Sequence, residues 1–146
     1  MFGASGVTLL AAPVFVVCGW AGDSRVYRHR GGALEQISRD HSTTQEMMDT
    51  GQFTVEQLSA KPNNTITRAV GGEPKLFLEW VVAGYEPGTQ FLLCSDGLTK
   101  EVSNRRIEEE LNRNLAPGET AQNLVRAALE AGGRDNVTAV VVRAEA

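Results

Sequence analysis

Cysteine, histidine and aromatic side chains are scarce in this chain, and so is positive charge. There are two cysteines, Cys18 and Cys94, two histidines, His29 and His41, and aromatic residues make up 6% of the sequence. Each cysteine sits in an apolar run, Val-Val-Cys-Gly and Leu-Leu-Cys-Ser. That context predicts two reduced, buried thiols rather than a disulfide framework. No Cys-x-x-Cys pair occurs and the histidines have no metal-ligand spacing, so a zinc site is excluded as a working idea. Fourteen basic residues face 18 acidic ones, a net charge of −4. Nucleic-acid binding wants the opposite balance. The stretch from Val7 to Cys18 is apolar, but no positive charge precedes it and Pro13 interrupts it. It therefore reads as two strands around a tight turn rather than a signal peptide or membrane span, which makes a cytoplasmic location the expectation.

Several catalytic signatures are absent as well. There is no Gly-x-x-x-x-Gly-Lys-Ser/Thr loop, no Gly-x-Gly-x-x-Gly, no Gly-x-Ser-x-Gly elbow and no His-Glu-x-x-His. A thiolate phosphatase would place Arg six residues after its Cys. Ser24 and Lys100 stand there instead.

What remains is a globular composition in 146 residues, 42% apolar and 22% charged, enough for one domain. Val- and Leu-rich runs bounded by Gly, Pro or Asp predict strands at about 7–11, 14–20, 25–30, 33–38, 76–83, 89–95 and 137–143. Gly31-Gly32 marks a hairpin and Glu86-Pro87-Gly88-Thr89 a turn. Capping-box spacing at Ser42–Gln45 and at Thr54–Gln57 predicts two short helices. Ser103 caps a third, running to about Asn112. Ala121, Leu124, Val125, Ala128 and Leu129 form the apolar stripe of a fourth over about 118–131, stopped by Gly132-Gly133. This order is an α+β pattern with antiparallel pairing. Segment 39–75 is the most irregular and reads as a surface insertion.

Three aspartates stand at strand ends beside small residues. Asp23 lies in Gly22-Asp23-Ser24-Arg25, Asp96 in Cys94-Ser95-Asp96-Gly97, and Asp135 in Arg134-Asp135-Asn136-Val137. If the strand ends converge, like charges must take up protons or share a cation. An all-carboxylate set selects a hard ion, Mg²⁺ or Mn²⁺. Each aspartate could equally cap a turn, and spacing alone leaves both readings open. Arg28-His29-Arg30 is either a solvated strand edge or a contact for an acidic partner, and His41 reads as an anchor for a helix start.

In order along the chain, five segments resemble the C-terminal part of the PPM-type (protein phosphatase 2C) Ser/Thr phosphatases of bacteria. They are Gly22-Asp23-Ser24-Arg25, Asp40-His41-Ser42, Thr67-Arg68-Ala69-Val70-Gly71, Leu93-Cys94-Ser95-Asp96-Gly97-Leu98 and Asp135-Asn136-Val137-Thr138. Gly3–Thr8 resembles that family's small-residue run. The resemblance implies two antiparallel sheets between helix pairs, and phosphoserine or phosphothreonine hydrolysis by water that two Mn²⁺ or Mg²⁺ ions activate. Asp96 and Asp135 would then be ligands of the two-metal centre, Asp23 a ligand of a third metal, and about 42–62 the flap beside the substrate groove. A full domain of this kind runs to roughly 230–250 residues. Its Asp-Gly-x-Gly-Gly motif, its acidic pair and its phosphate-binding Arg have no counterpart here. The expectation is therefore an incomplete domain, inactive alone, with an opened sheet edge and an uncovered apolar face. Such a surface should lead to a homo-oligomer or strand exchange through Val7–Val17, or to pairing with a complementing N-terminal half. A phosphoprotein or its kinase would be the partner. A non-catalytic binding module is the alternative.

Overall fold

Tight turns set the strand boundaries of the computed structural model, which describes residues 3–59 and 65–145. At Ala12–Phe15 the turn closes with Ala12 N–H donating to the Phe15 carbonyl at 2.8 Å. It joins β1 (Gly6–Ala11) to β2 (Phe15–Ala21). Gly31 and Gly32 both have positive φ, 59° and 83°, so a two-residue hairpin joins β3 (Arg25–Arg30) to β4 (Ala33–Gln36). Two helices follow, α1 (Thr43–Asp49) and α2 (Val55–Ser59), then β5 (Glu79–Gly84) and β6 (Gln90–Cys94). The chain ends with α3 (Asp96–Thr99), α4 (Asn104–Asn112), α5 (Pro117–Glu130) and β7 (Ala139–Arg143).

All pairings are antiparallel, in two sheets ordered β1-β2-β5 and β4-β3-β6-β7. The α+β class expected from the sequence is therefore the one observed. Consecutive strands do not always stay in one sheet. Gly22–Ser24 carries the chain from β2 in one sheet to β3 in the other, and Tyr85–Thr89 carries it from β5 to β6. The Glu86–Thr89 turn is thus a crossing between sheets, not a hairpin.

Two cores result. Val16, Cys18, Val26, Ala83 and Phe91 pack between the sheets. Tyr27, Leu92, Cys94, Leu98, Val102, Ile107, Leu111, Leu124 and Ala128 fill the space between the four-stranded sheet and the helices. The alternation of β3 and β6 explains the split, because Val26 and Phe91 point one way and Tyr27 and Leu92 the other. Both cysteines are free and buried, one in each core.

Helix starts follow the sequence closely. The Ser42 and Ser103 hydroxyls each accept from the N–H three residues on, at 3.2 Å. At Thr54 the capping box is reciprocal: Thr54 N–H donates to Gln57 Oε1 and Gln57 N–H to Thr54 Oγ1. The α5 stripe differs from expectation. Thr120, Leu124 and Ala128 are its buried residues, while Leu129 is 57% exposed. The helix packs along β7, and among the described residues the sheet has no strand beyond β7. Leu129 therefore overhangs the sheet edge.

The outer face of β1-β2-β5 carries exposed Leu10, Phe15, Trp80 and Val82, and no described helix covers it. Within Val7–Val17, β1 is a sheet edge and β2 lies in the centre, so only the first part of that segment offers unpaired backbone. Residues 41–43 pair with 65–67 through Thr43 N–H to Thr65 O and Thr67 N–H to His41 O, both 2.9 Å. The segment expected to form a flap, 42–62, begins at this pairing, and its residues 60–62 lie outside the described ones.

Candidate metal centre

Asp96 opens α3 immediately after β6, and Asp135 lies in the loop that leads into β7. Because β6 and β7 are paired, these two chain segments are neighbours. Ser95 ties them together. Its N–H donates to the Thr138 carbonyl at 3.1 Å, its hydroxyl donates to the Asn136 carbonyl at 3.2 Å, and it accepts from Thr138 N–H at 2.9 Å. Gly97 lets the loop lie against α3, since a Cβ there would stand 2.9 Å from the Asn136 carbonyl carbon, with the oxygen nearer still. The two carboxylates share one cation. Lys100 Nζ pairs with Asp96 Oδ2 and lies 3.3 Å from Asp135 Oδ2. The Asn136 N–H and then the Lys100 ammonium hold Asp135 below the usual carboxylate range, and Asp96 above all holds the Lys100 ammonium in its charged form.

Asp23 occupies the crossing from β2 to β3 and is 8% exposed. Burial first, then the charge of Asp96, pushes its carboxyl up, and Lys100 works against that rise. The Asp23 turn is held firmly. Gly22 has φ +105°, and a Cβ there would meet Ser5 Cβ at 2.5 Å, so glycine is required on both counts. Gly22 N–H donates to His41 Nδ1 at 3.1 Å and His41 N–H donates to the Gly22 carbonyl at 2.9 Å. His41 therefore anchors the Asp23 turn and not merely the start of a helix. Its Nε2 faces Glu79 Oε1 at 3.3 Å. Asp40, next in chain, is engaged elsewhere by Arg25, whose Nε and Nη2 donate to it at 2.8 and 2.6 Å. Arg28 pairs with Glu35 at 2.6 Å and donates to the Gly84 carbonyl at 3.0 Å. The strand-edge reading of Arg28-His29-Arg30 does not hold, because β3 lies between β4 and β6 and His29 is buried.

Among the described residues, no three His, Cys, Asp or Glu side chains are arranged to hold a metal ion together. Asp96 and Asp135 nevertheless fit a hard divalent ion in donor type, being all oxygen, and in already gathering around one positive charge. They would make a partial ligand set, two carboxylates, for such an ion. Sequence reasoning did not assign a role to Ser95 or Lys100. The signal for Lys100 was its position four residues after Asp96, but it is only meaningful on a helix, and a four-residue helix has no periodicity to reveal it.

No family model matches the chain. Curated and solved relatives do. The chain is 36% identical over 141 residues to the serine/threonine phosphatase stp of Listeria monocytogenes, covering 94% of this chain and 56% of that protein. The crystal structure of the Mycobacterium tuberculosis serine/threonine phosphatase PstP/Ppp superposes with a TM-score of 0.91 at 35% identity, covering 99% of this chain and 61% of that one. A structure of the PstP catalytic domain in complex with two manganese ions matches with a TM-score of 0.83 at 34% identity, covering 94% and 57%. Two antiparallel sheets, the strand-end aspartates and these likenesses define one class of protein: the chain belongs to the PPM-type Ser/Thr phosphatase family. It spans somewhat over half the length of such relatives, 56% in the Listeria case.

Proposed function

We propose that this chain carries one side of a metal-dependent phosphoprotein phosphatase site. The observation that supports it best is the apposition of Asp96 and Asp135 around one cation, on a fold that a two-manganese phosphatase domain shares. In this reading Asp96 and Asp135 hold Mn²⁺ or Mg²⁺, and Asp23 serves a further ion. When bound, such ions activate water and neutralise charge on a phosphoryl group. Ser95 fixes the separation of the two aspartates, and the His41 anchor fixes the Asp23 turn. The substrates are phosphoserine or phosphothreonine proteins, met beside the 42–62 flap. A cytoplasmic setting belongs to the same reading and is supported by two unpaired cysteines.

A second reading, a phosphatase-like binding module without turnover, draws on the Lys100 ammonium that already pairs with Asp96 and Asp135. The exposed outer sheet face also supports association, either with a second copy or with a complementing half-domain. One experiment separates these: p-nitrophenyl phosphate hydrolysis with Mn²⁺, by the chain alone and after mixing with the N-terminal part of a relative's domain. Turnover that Asp96→Asn abolishes supports the phosphatase reading. Absent turnover in both arms, with phosphoprotein binding retained, supports the module.

A further inference from the structure

Lys100 engages the two carboxylates that the metal reading assigns to a divalent ion. It sits one helical turn after Asp96, and its backbone N–H donates to the Asp96 carbonyl at 2.9 Å, so its Cα is fixed relative to that carboxylate. Its ammonium pairs with Oδ2 of both Asp96 and Asp135. The same two groups would have to turn their oxygens toward a metal. Yet the Lys100 side chain is 55% exposed, and exposed ion pairs are worth little, so it can leave toward solvent without unfolding anything.

We propose that Lys100 is a tethered competitor for the divalent cation, one that cross-links Asp96 and Asp135 and must swing away before a metal can take both carboxylates. The inference rests on the metal reading given above and adds to it a residue that sets how much metal the site demands. Neutralising this one charge should tighten metal binding, because an ammonium a few ångströms from a divalent ion is repelled as well as competing for its ligands.

The test is Mn²⁺ binding to the whole chain, followed by calorimetry and by the electron paramagnetic resonance signal of free Mn²⁺, with no phosphatase substrate present. Lys100→Met should lower the Kd on the order of tenfold. Lys100→Arg keeps the charge and should bind as the unaltered chain does. Adding Asp96→Asn to Lys100→Met should abolish the gain. Far-ultraviolet circular dichroism confirms that each variant is folded. If Lys100→Met binds no tighter while Asp96→Asn still weakens binding, the competitor is refuted and the metal site stands. If no variant binds Mn²⁺, or if binding ignores Asp96→Asn, the metal reading falls and the competitor falls with it.

Discussion

Gly97→Ala tests whether the closeness of Asp96 and Asp135 depends on a backbone contact. The added Cβ would lie 2.9 Å from the Asn136 carbonyl carbon and nearer still to its oxygen, and 3.5 Å from Asp135 Cβ. The obstacle is backbone, which cannot rotate aside as a side chain can. Gly19 is the contrast: a Cβ there would press on the Trp80 ring, but Trp80 is 52% exposed and free to move. Restoring ordinary contact at Gly97 requires the 135–138 loop to withdraw, which breaks the Ser95 hydrogen bonds that hold it. Overpacking of this kind costs about 1–3 kcal/mol. For a domain near 150 residues that lowers Tm by about 2–12 °C. An internal control exists in α5, where a Cβ on Gly118 meets nothing within 4 Å. Gly118→Ala should be neutral or stabilise by up to about 1 kcal/mol. Thermal unfolding followed by circular dichroism measures both, and Mn²⁺ titration of Gly97→Ala should show weakened binding. A Gly97→Ala protein that melts at or above the unaltered chain would refute the reasoning.

Three other outcomes are expected. Burial, against the opposing charge of Arg25, raises the Tyr27 phenol above its ordinary value. Because the neutral form is favoured in the folded state, its contribution is complete below pH about 10 and is lost as pH rises through the folded value. Unfolding free energies measured between pH 8 and pH 11 should fall for the unaltered chain and fall less for Tyr27→Phe; equal slopes would count against it. Ser103→Ala removes the hydroxyl that accepts from Arg106 N–H at 3.2 Å and should cost about 1 kcal/mol in urea unfolding. On the outer sheet face, Trp80→Lys with Val82→Lys should shift the chain toward monomer in sedimentation velocity, since both side chains are more than half exposed and apolar. Unchanged sedimentation of an associated species would show that this face is not its contact.

Local signals carried most of the fold. Gly31-Gly32, the Thr54–Gln57 box and the Ser103 cap each involve residues within a few positions of one another, and each formed as the spacing predicts. Sheet membership was not legible in the same way. Nothing in Glu86–Thr89 distinguishes a hairpin turn from a crossing between sheets, because the turn chemistry is identical. The α5 stripe was misplaced at Leu129 for a related reason. Periodicity reports the face of a helix but not where the sheet beneath it ends. The aspartates were legible as strand-end carboxylates beside small residues. Their binding to a shared ammonium was not, because it depends on a turn of helix too short to leave a pattern.

The three aspartates do not depend on the fold in the same way. Asp96 and Asp135 belong to one packed unit, in which β6, β7, α3 and α5 enclose a core that includes fully buried Leu92 and Leu98. Their separation is fixed by the β6–β7 pairing and by Ser95, all within that unit. Asp23 stands instead at the crossing between sheets. Its place depends on β2 in the three-stranded sheet, on Ser5 against Gly22, and on His41 where residues 41–43 meet 65–67. Among the described residues nothing covers that sheet's outer face, and the core behind it is closed largely by half-buried residues such as Val7, Leu9 and Val81. In the proposed site the pair is therefore held within one packed unit, whereas Asp23 depends on the three-stranded sheet.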